Sequence, residues 1–182
     1  MSFDAATSAG AVCALLGENG ASGWTARASE LTYLIDDCVD DPRRIEGIVV
    51  GTGPGSFTSI RIALATARGL ALALDVPVAG SSTIDAFTGG IPVIDARRGE
   101  VFSPGPRLCR PEELDVAGKV LVGDGAVRYR ELFEAAGATI PQDEQAHRPD
   151  PYELVEHAGP FGRVEDVDPL YLRSPDAKPI TP

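Results

Sequence analysis

"GTGPGSFTSIRIALATARGLALALDVP", residues 51–77, follows the apolar run Ile48-Val49-Val50 and carries apolar or small residues on nearly every side of its second half. A strand, a glycine-rich turn and a helix in that order can cradle a phosphate. Three familiar forms of such a cradle fail here. Walker A needs Gly-Lys-Ser/Thr so that a lysine meets the β/γ-phosphates, whereas Gly55 is followed by Ser-Phe-Thr. A dinucleotide fingerprint needs glycine at the last position of GxGxxG, which is Ser56. A nucleophile elbow needs glycines where Pro54 and Thr58 flank Ser56. What remains is a structural turn, in which Gly51, Gly53 and Gly55 let a helix pack closely on its own sheet. A weak anion site at the helix N-terminus is the open alternative.

The helix itself is informative. Ile60, Leu64, Ala67, Leu70 or Ala71, and Leu74 make one apolar stripe, with Ser56 or Thr58 as cap. Ile62, Ala63, Ala65, Thr66, Gly69 and Ala73, on its second side, are apolar or small too, where a helix covering one sheet would carry charge. Something is expected to pack there: the chain's own helix around residues 31–39, or a partner. Arg61 and Arg68, seven apart, share a face and could rim such a contact.

Outward from this stretch, residues 1–16 read as two short strands joined by a turn at Thr7–Gly10, with a third strand near Gly23–Arg27. Leu31, Leu34, Ile35, Cys38 and Val39 follow helical spacing, with Ser29 as N-cap and Pro42 as stop. "VPVAGSS" is a strand and "STIDAFTGG" a short helix. These elements define a first lobe over residues 1–88. A second lobe over 89–174 opens with two β runs around a turn at Arg97–Glu100. It continues through the proline-rich "SPGPRLCRPEELD" and the strand "KVLVGDG". The helix "AVRYRELFEAAG" follows with Val127, Leu132, Phe133 and Ala136 inward, and "PYELVEHAG" is a last short helix. Residues 175–182 are expected to be a disordered tail. No internal repeat is read.

Composition narrows the function. The chain has 182 residues and a net charge of −11. An acidic chain gains little from counterion release on a phosphate backbone, so stand-alone binding of nucleic acid is disfavoured. Cys13, Cys38 and Cys109 are odd in number and widely spaced, which reads as buried reduced thiols of a cytoplasmic protein. His147 and His157 form no metal-binding pattern and read as exposed polar side chains. No basic n-region or membrane-length apolar run is read.

Residues 51–87, "GTGPGSFTSIRIALATARGLALALDVPVAGSSTIDAF", resemble the signature stretch of the TsaB (YeaZ) family. "FDAAT" resembles that family's first-strand motif, "VIDARRGEVF" its second-lobe strand pair and "DPLYLR" its C-terminal motif. Ser59 and Ala63 depart from it where glycine is usual, Ala28 where histidine is, and the segment between Phe102 and Lys119 is shorter. The resemblance implies an α/β fold of the actin/Hsp70/sugar-kinase (ASKHA) type, two-lobed, with a shortened second lobe. It implies a non-catalytic scaffold that binds a TsaD-type catalytic subunit, together with a TsaE-type ATPase. That complex transfers a threonylcarbamoyl group to an adenosine of tRNAs reading ANN codons.

Active members of the fold grip ATP with glycine-containing loops, which by resemblance lie at Asp4-Ala5-Ala6-Thr7 and Asp95-Ala96-Arg97-Arg98; neither contains glycine. The resemblance thus implies no catalytic residues, no metal and no cofactor. Leu31, Leu34, Ile35, Arg61, Ala65, Arg68 and Leu72 are the expected partner interface, which could support a homodimer when TsaD is absent; tRNA is met only within the complex, and no membrane is involved. The alternative is a small phosphotransferase or ATPase of the same fold; a metallopeptidase would need ligands the chain lacks.

Overall fold

The computed structural model describes residues 1–17, 20–25 and 27–173. Three short strands open the chain: β1 (Ser2–Asp4), β2 (Ala11–Ala14) and β3 (Ser22–Thr25). Then come α1 (Leu31–Cys38), β4 (Ile48–Gly51), α2 (Phe57–Leu74) and β5 (Val78–Ser81). They build a five-stranded sheet in the order β3-β2-β1-β4-β5, antiparallel through the opening meander and parallel from β1 to β5.

The strand period of two sorts the sheet's faces. Phe3, Cys13, Ile48, Val50 and Val78 point to one side, where they share a core with Leu31, Leu34 and Ile35 of α1 and Ile60, Ala63 and Leu64 of α2. Val49 and Ala79 point to the other side and meet Leu154. By length and composition α2 is apolar enough to cross a membrane, contrary to the sequence expectation. Ile60, Ala63, Leu64, Ala67 and Ala71 on one side of it are buried in the first-lobe core.

The second lobe holds β6 (Ile91–Pro92), β7 (Ile94–Arg97), β8 (Glu100–Ser103), β9 (Arg107–Cys109) and β10 (Leu121–Val122). Only Val93 separates β6 from β7, and its amide donates to the Val122 carbonyl. The stretch 91–97 therefore acts as one strand, paired with β10 in its first half and β8 in its second. The resulting order, β9-β8-β7/β6-β10, repeats β3-β2-β1-β4. A parallel bridge from Val120 to Thr139 stands where β5 stands in the first lobe. A repeat is thus present in topology. Its trace in the sequence is Val50-Gly51-Thr52-Gly53 against Val122-Gly123-Asp124-Gly125, each at a strand-to-helix turn.

Several local expectations differ from the structure. Ser29 lies in a short 3-10 turn, Ala28–Glu30, and Glu30 takes the N-cap position of α1 without a side-chain capping bond. The stretch after Ser82 makes a 3-10 turn at Ile84–Ala86 rather than an α-helix. The proline-rich connection contains β9, stabilised by pairing Val101 with Cys109. The helix expected over "AVRYRELFEAAG" is broken at Tyr129 into α3 (Asp124–Arg128) and α4 (Arg130–Ala135). Ala126 and Phe133, seven residues apart, face inward and Leu132 packs against the same core, whereas Val127 and Ala136 are exposed.

The second lobe is expected to run on from residue 89 without returning to the first. From Asp150 the chain returns to the first lobe: α5 (Pro151–Glu156) packs on β1, β2 and β4, and Gly162 bridges Val78. Leu154 draws it there, since the outer face of the first sheet would otherwise leave Val49 and Ala79 bare. Arg148 adds a cation–π contact, 3.4 Å over the ring of Trp24. The expected tail over 175–182 lies outside the described residues.

Candidate functional site

The turn after β4 is built by contact. A Cβ on Gly51 would fall 1.6 Å from Oδ2 of Asp4, and one on Gly55 2.2 Å from the Ala6 carbonyl oxygen. Gly53 has φ +97°, a left-handed conformation that side chains resist, and a Cβ there would lie 2.6 Å from Ile60. The Ser56 amide donates to the Ala6 carbonyl, so the turn leans on the loop after β1. Ser56, not Thr58, caps α2 by accepting from the Ser59 amide.

Asp4 lies under this turn, almost fully buried. Its carboxylate accepts from the Ala6 amide at 2.6 Å and from the Thr83 hydroxyl at 2.5 Å. Burial pushes its carboxyl above the ordinary range, with the Thr83 and Ala6 bonds pulling the other way. A folded value raised above the unfolded one stabilises the fold fully below the ordinary aspartate range, and that stability is lost as pH rises through the raised value. Asp4→Asn keeps an acceptor for Ala6 and removes the charge. Its melting temperature relative to the parent is therefore expected to improve from about pH 4 to about pH 8. A pH series of thermal melts checks this; a constant difference would contradict it.

The loops of the two lobes meet at Asp124. Its Oδ2 accepts from the Ser8 amide at 2.7 Å and the Ser8 hydroxyl at 2.5 Å, and its Oδ1 from the Asp95 amide at 3.0 Å. Asp95 in turn accepts from the Arg97 amide and sits 3.3 Å and 3.5 Å from the Arg97 and Arg128 guanidinium groups. Amides of both loops are thus already committed to the chain's own carboxylates. Above them a cavity of about 730 Å³ opens between the lobes, lined by Thr7, Ser56 and Phe57 on one side and Ala96, Arg97 and Phe102 on the other. Tyr171 closes one end, 4.8 Å from the ring of Phe57. Sequence reading missed Asp124, since its partner Ser8 is 116 residues away.

The expected interface residues divide. Arg61, Ala65, Arg68 and Leu72 lie on the solvent face of α2, with Gly69 between them; Leu72 is 85% exposed. Leu31, Leu34 and Ile35 are buried in the first-lobe core. The apolar stripe of α1 is turned onto β2 and β3, so these three side chains face the core of their own lobe. The outer face of α1 is Thr32, Tyr33, Asp36 and Asp37, and Tyr33 is 74% exposed. The histidines lie apart from the cleft loops: His157 is near Glu153, and His147, expected to be exposed, is buried against the Pro141 carbonyl.

One mixed sheet, a smaller copy of its strand order and a cleft between them define a two-lobed α/β protein of the actin/Hsp70/sugar-kinase type. Residues 29–109 match the TsaD family, tRNA N6-adenosine threonylcarbamoyltransferase. An uncharacterized protein of Mycobacterium bovis is 35% identical over 150 residues, covering 75% of this chain and 68% of that one. The tRNA threonylcarbamoyladenosine biosynthesis protein TsaB of Escherichia coli is 27% identical over 166 residues, 71% of each chain. The solved structure of YeaZ from Pseudomonas aeruginosa superposes with a TM-score of 0.76 at 25% identity, covering 94% of this chain and 98% of that one. The chain belongs to the TsaB (YeaZ) family, and with it to threonylcarbamoyladenosine biosynthesis.

Proposed function

We propose that this chain is the non-catalytic subunit that binds and stabilises a TsaD-type catalytic subunit, working with a TsaE-type ATPase in the cytoplasm. The observation that carries the reading is the solvent face of α2. Leu72 stands 85% exposed beside Ala65, Gly69 and Ala73 on a helix whose other side is already buried. Gly69 has open space around its missing Cβ, where alanine would favour the helix by about 1 kcal/mol. Its absence of a side chain suits the close approach of another backbone. In the absence of TsaD the same face pairs two copies of this chain, and tRNA is contacted only within the complex.

The lack of catalysis rests on the cleft. Ser8 and Asp95, whose amides would otherwise face a polyphosphate, donate to Asp124, and Asp4 is sealed beneath Gly51. The purified chain is expected to hydrolyse no ATP above the buffer rate. Turnover that disappears in Asp4→Ala would instead identify a phosphotransferase or ATPase.

A further inference from the structure

The cavity between the lobes has a second wall that the loop carboxylates do not occupy. It is the N-terminus of α2, an 18-residue helix. The Ser56 amide donates to Ala6 and the Ser59 amide to the Ser56 hydroxyl, but the amides of Phe57 and Thr58 have no acceptor among the described residues. The aligned peptide dipoles concentrate positive charge at those two groups. Thr7 lines the same cavity, is 4% exposed, and its hydroxyl has no hydrogen-bond partner among the described residues.

Arg61, one turn into α2, adds a full charge. Its guanidinium lies 3.7 Å over the Phe57 ring and donates from Nε to the Tyr171 hydroxyl at 3.2 Å. It makes no ion pair with a carboxylate among the described residues, so its position is fixed and its charge is uncompensated. Asp95 on the facing wall is balanced by Arg97 and Arg128. Phe102, Leu170 and Leu172 give the rest of the cavity an apolar lining, and about 730 Å³ is a small-molecule volume.

We propose that this cleft binds a small organic anion with a single anionic head: a carboxylate or phosphate monoester at the Phe57 and Thr58 amides, with Arg61 and Thr7, and an apolar body against Phe102 and Leu172. A single head is required. The amides that could hold further phosphates, those of Ser8 and Asp95, are engaged by Asp124.

The test titrates the full chain with benzoate, phenyl phosphate, inorganic phosphate and Mg-ATP, followed by calorimetry and amide-resolved NMR. Saturable one-to-one binding of benzoate or phenyl phosphate is expected, with the largest shifts at Thr7, Phe57 and Thr58; the tighter of the two identifies the head. Arg61→Gln should weaken that binding about tenfold, and Thr7→Val, which removes only a hydroxyl, about threefold. No saturation, shifts centred elsewhere, or undiminished affinity in Arg61→Gln would overturn the proposal. So would inorganic phosphate binding as tightly as phenyl phosphate, or Mg-ATP binding more tightly than either organic probe.

Discussion

Ala65→Glu combined with Leu72→Glu is expected to abolish capture of a TsaD-type subunit while leaving the fold intact. Both side chains are exposed, so neither substitution disturbs the core. In a complex that buries the α2 face, each glutamate would carry a charge into a water-excluded contact. The neighbouring arginines offer limited relief. Arg61 is already held by Phe57 and Tyr171, and Arg68 can neutralise one of the two new charges at most. An uncompensated buried charge costs about 3 kcal/mol or more, a loss of affinity of over ~100-fold. Unchanged circular dichroism with lost pull-down is the predicted pair of results. Wild-type affinity in the folded double variant would place the interface elsewhere.

The largest expected effect on stability is at Gly51. Gly51→Ala puts a methyl group 1.6 Å from Oδ2 and 2.4 Å from Cγ of Asp4, a side chain fixed by two hydrogen bonds and surrounded by core. Relief requires either moving β4 off β1 or breaking the bonds to Ala6 and Thr83 in a buried site. Overpacking with loss of a buried hydrogen bond costs about 3 kcal/mol, a fall of roughly 6–12 °C in melting temperature for a chain of this size. Gly69→Ala is the contrasting case. Its new methyl group meets nothing of its own chain within 4 Å, and helix propensity alone should stabilise the unpaired monomer, melted at dilution, by up to about 1 kcal/mol. Thermal melts of the two variants should move in opposite directions, and a shift in the same direction would contradict the reading of the turn.

The parts of the fold legible in the sequence are those set by local rules. The apolar run 48–50, three close glycines and the periodic segment 57–74 specify strand, turn and helix without reference to distant residues. The opening meander and the turn read at Arg97–Glu100 are of the same kind; the left-handed backbone at Arg97 and Arg98 within that turn was not. Features set by tertiary contact were not legible. β9 sits among prolines and is a strand only because β8 is beside it. The break at Tyr129 has no glycine or proline to announce it. Leu31, Leu34 and Ile35 read equally well as core or interface, since spacing shows that a helix has an apolar face but not what covers it. Asp124, read as part of the strand "KVLVGDG", shows its role only once Ser8 is brought against it. The family itself was legible from residues 51–87, while the cavity wall at Thr7 and Arg61 needed the fold.

Reconstituted transfer of threonylcarbamoyl from a supplied activated threonylcarbamoyl donor to tRNA, using the TsaD- and TsaE-type proteins of the same organism with and without this chain, tests the central claim most directly. The reaction is predicted to need this chain in stoichiometric amount, and to be supported by Asp4→Asn but not by Ala65→Glu/Leu72→Glu. Full transfer without the chain, or full activity restored by the double glutamate variant, would contradict the account.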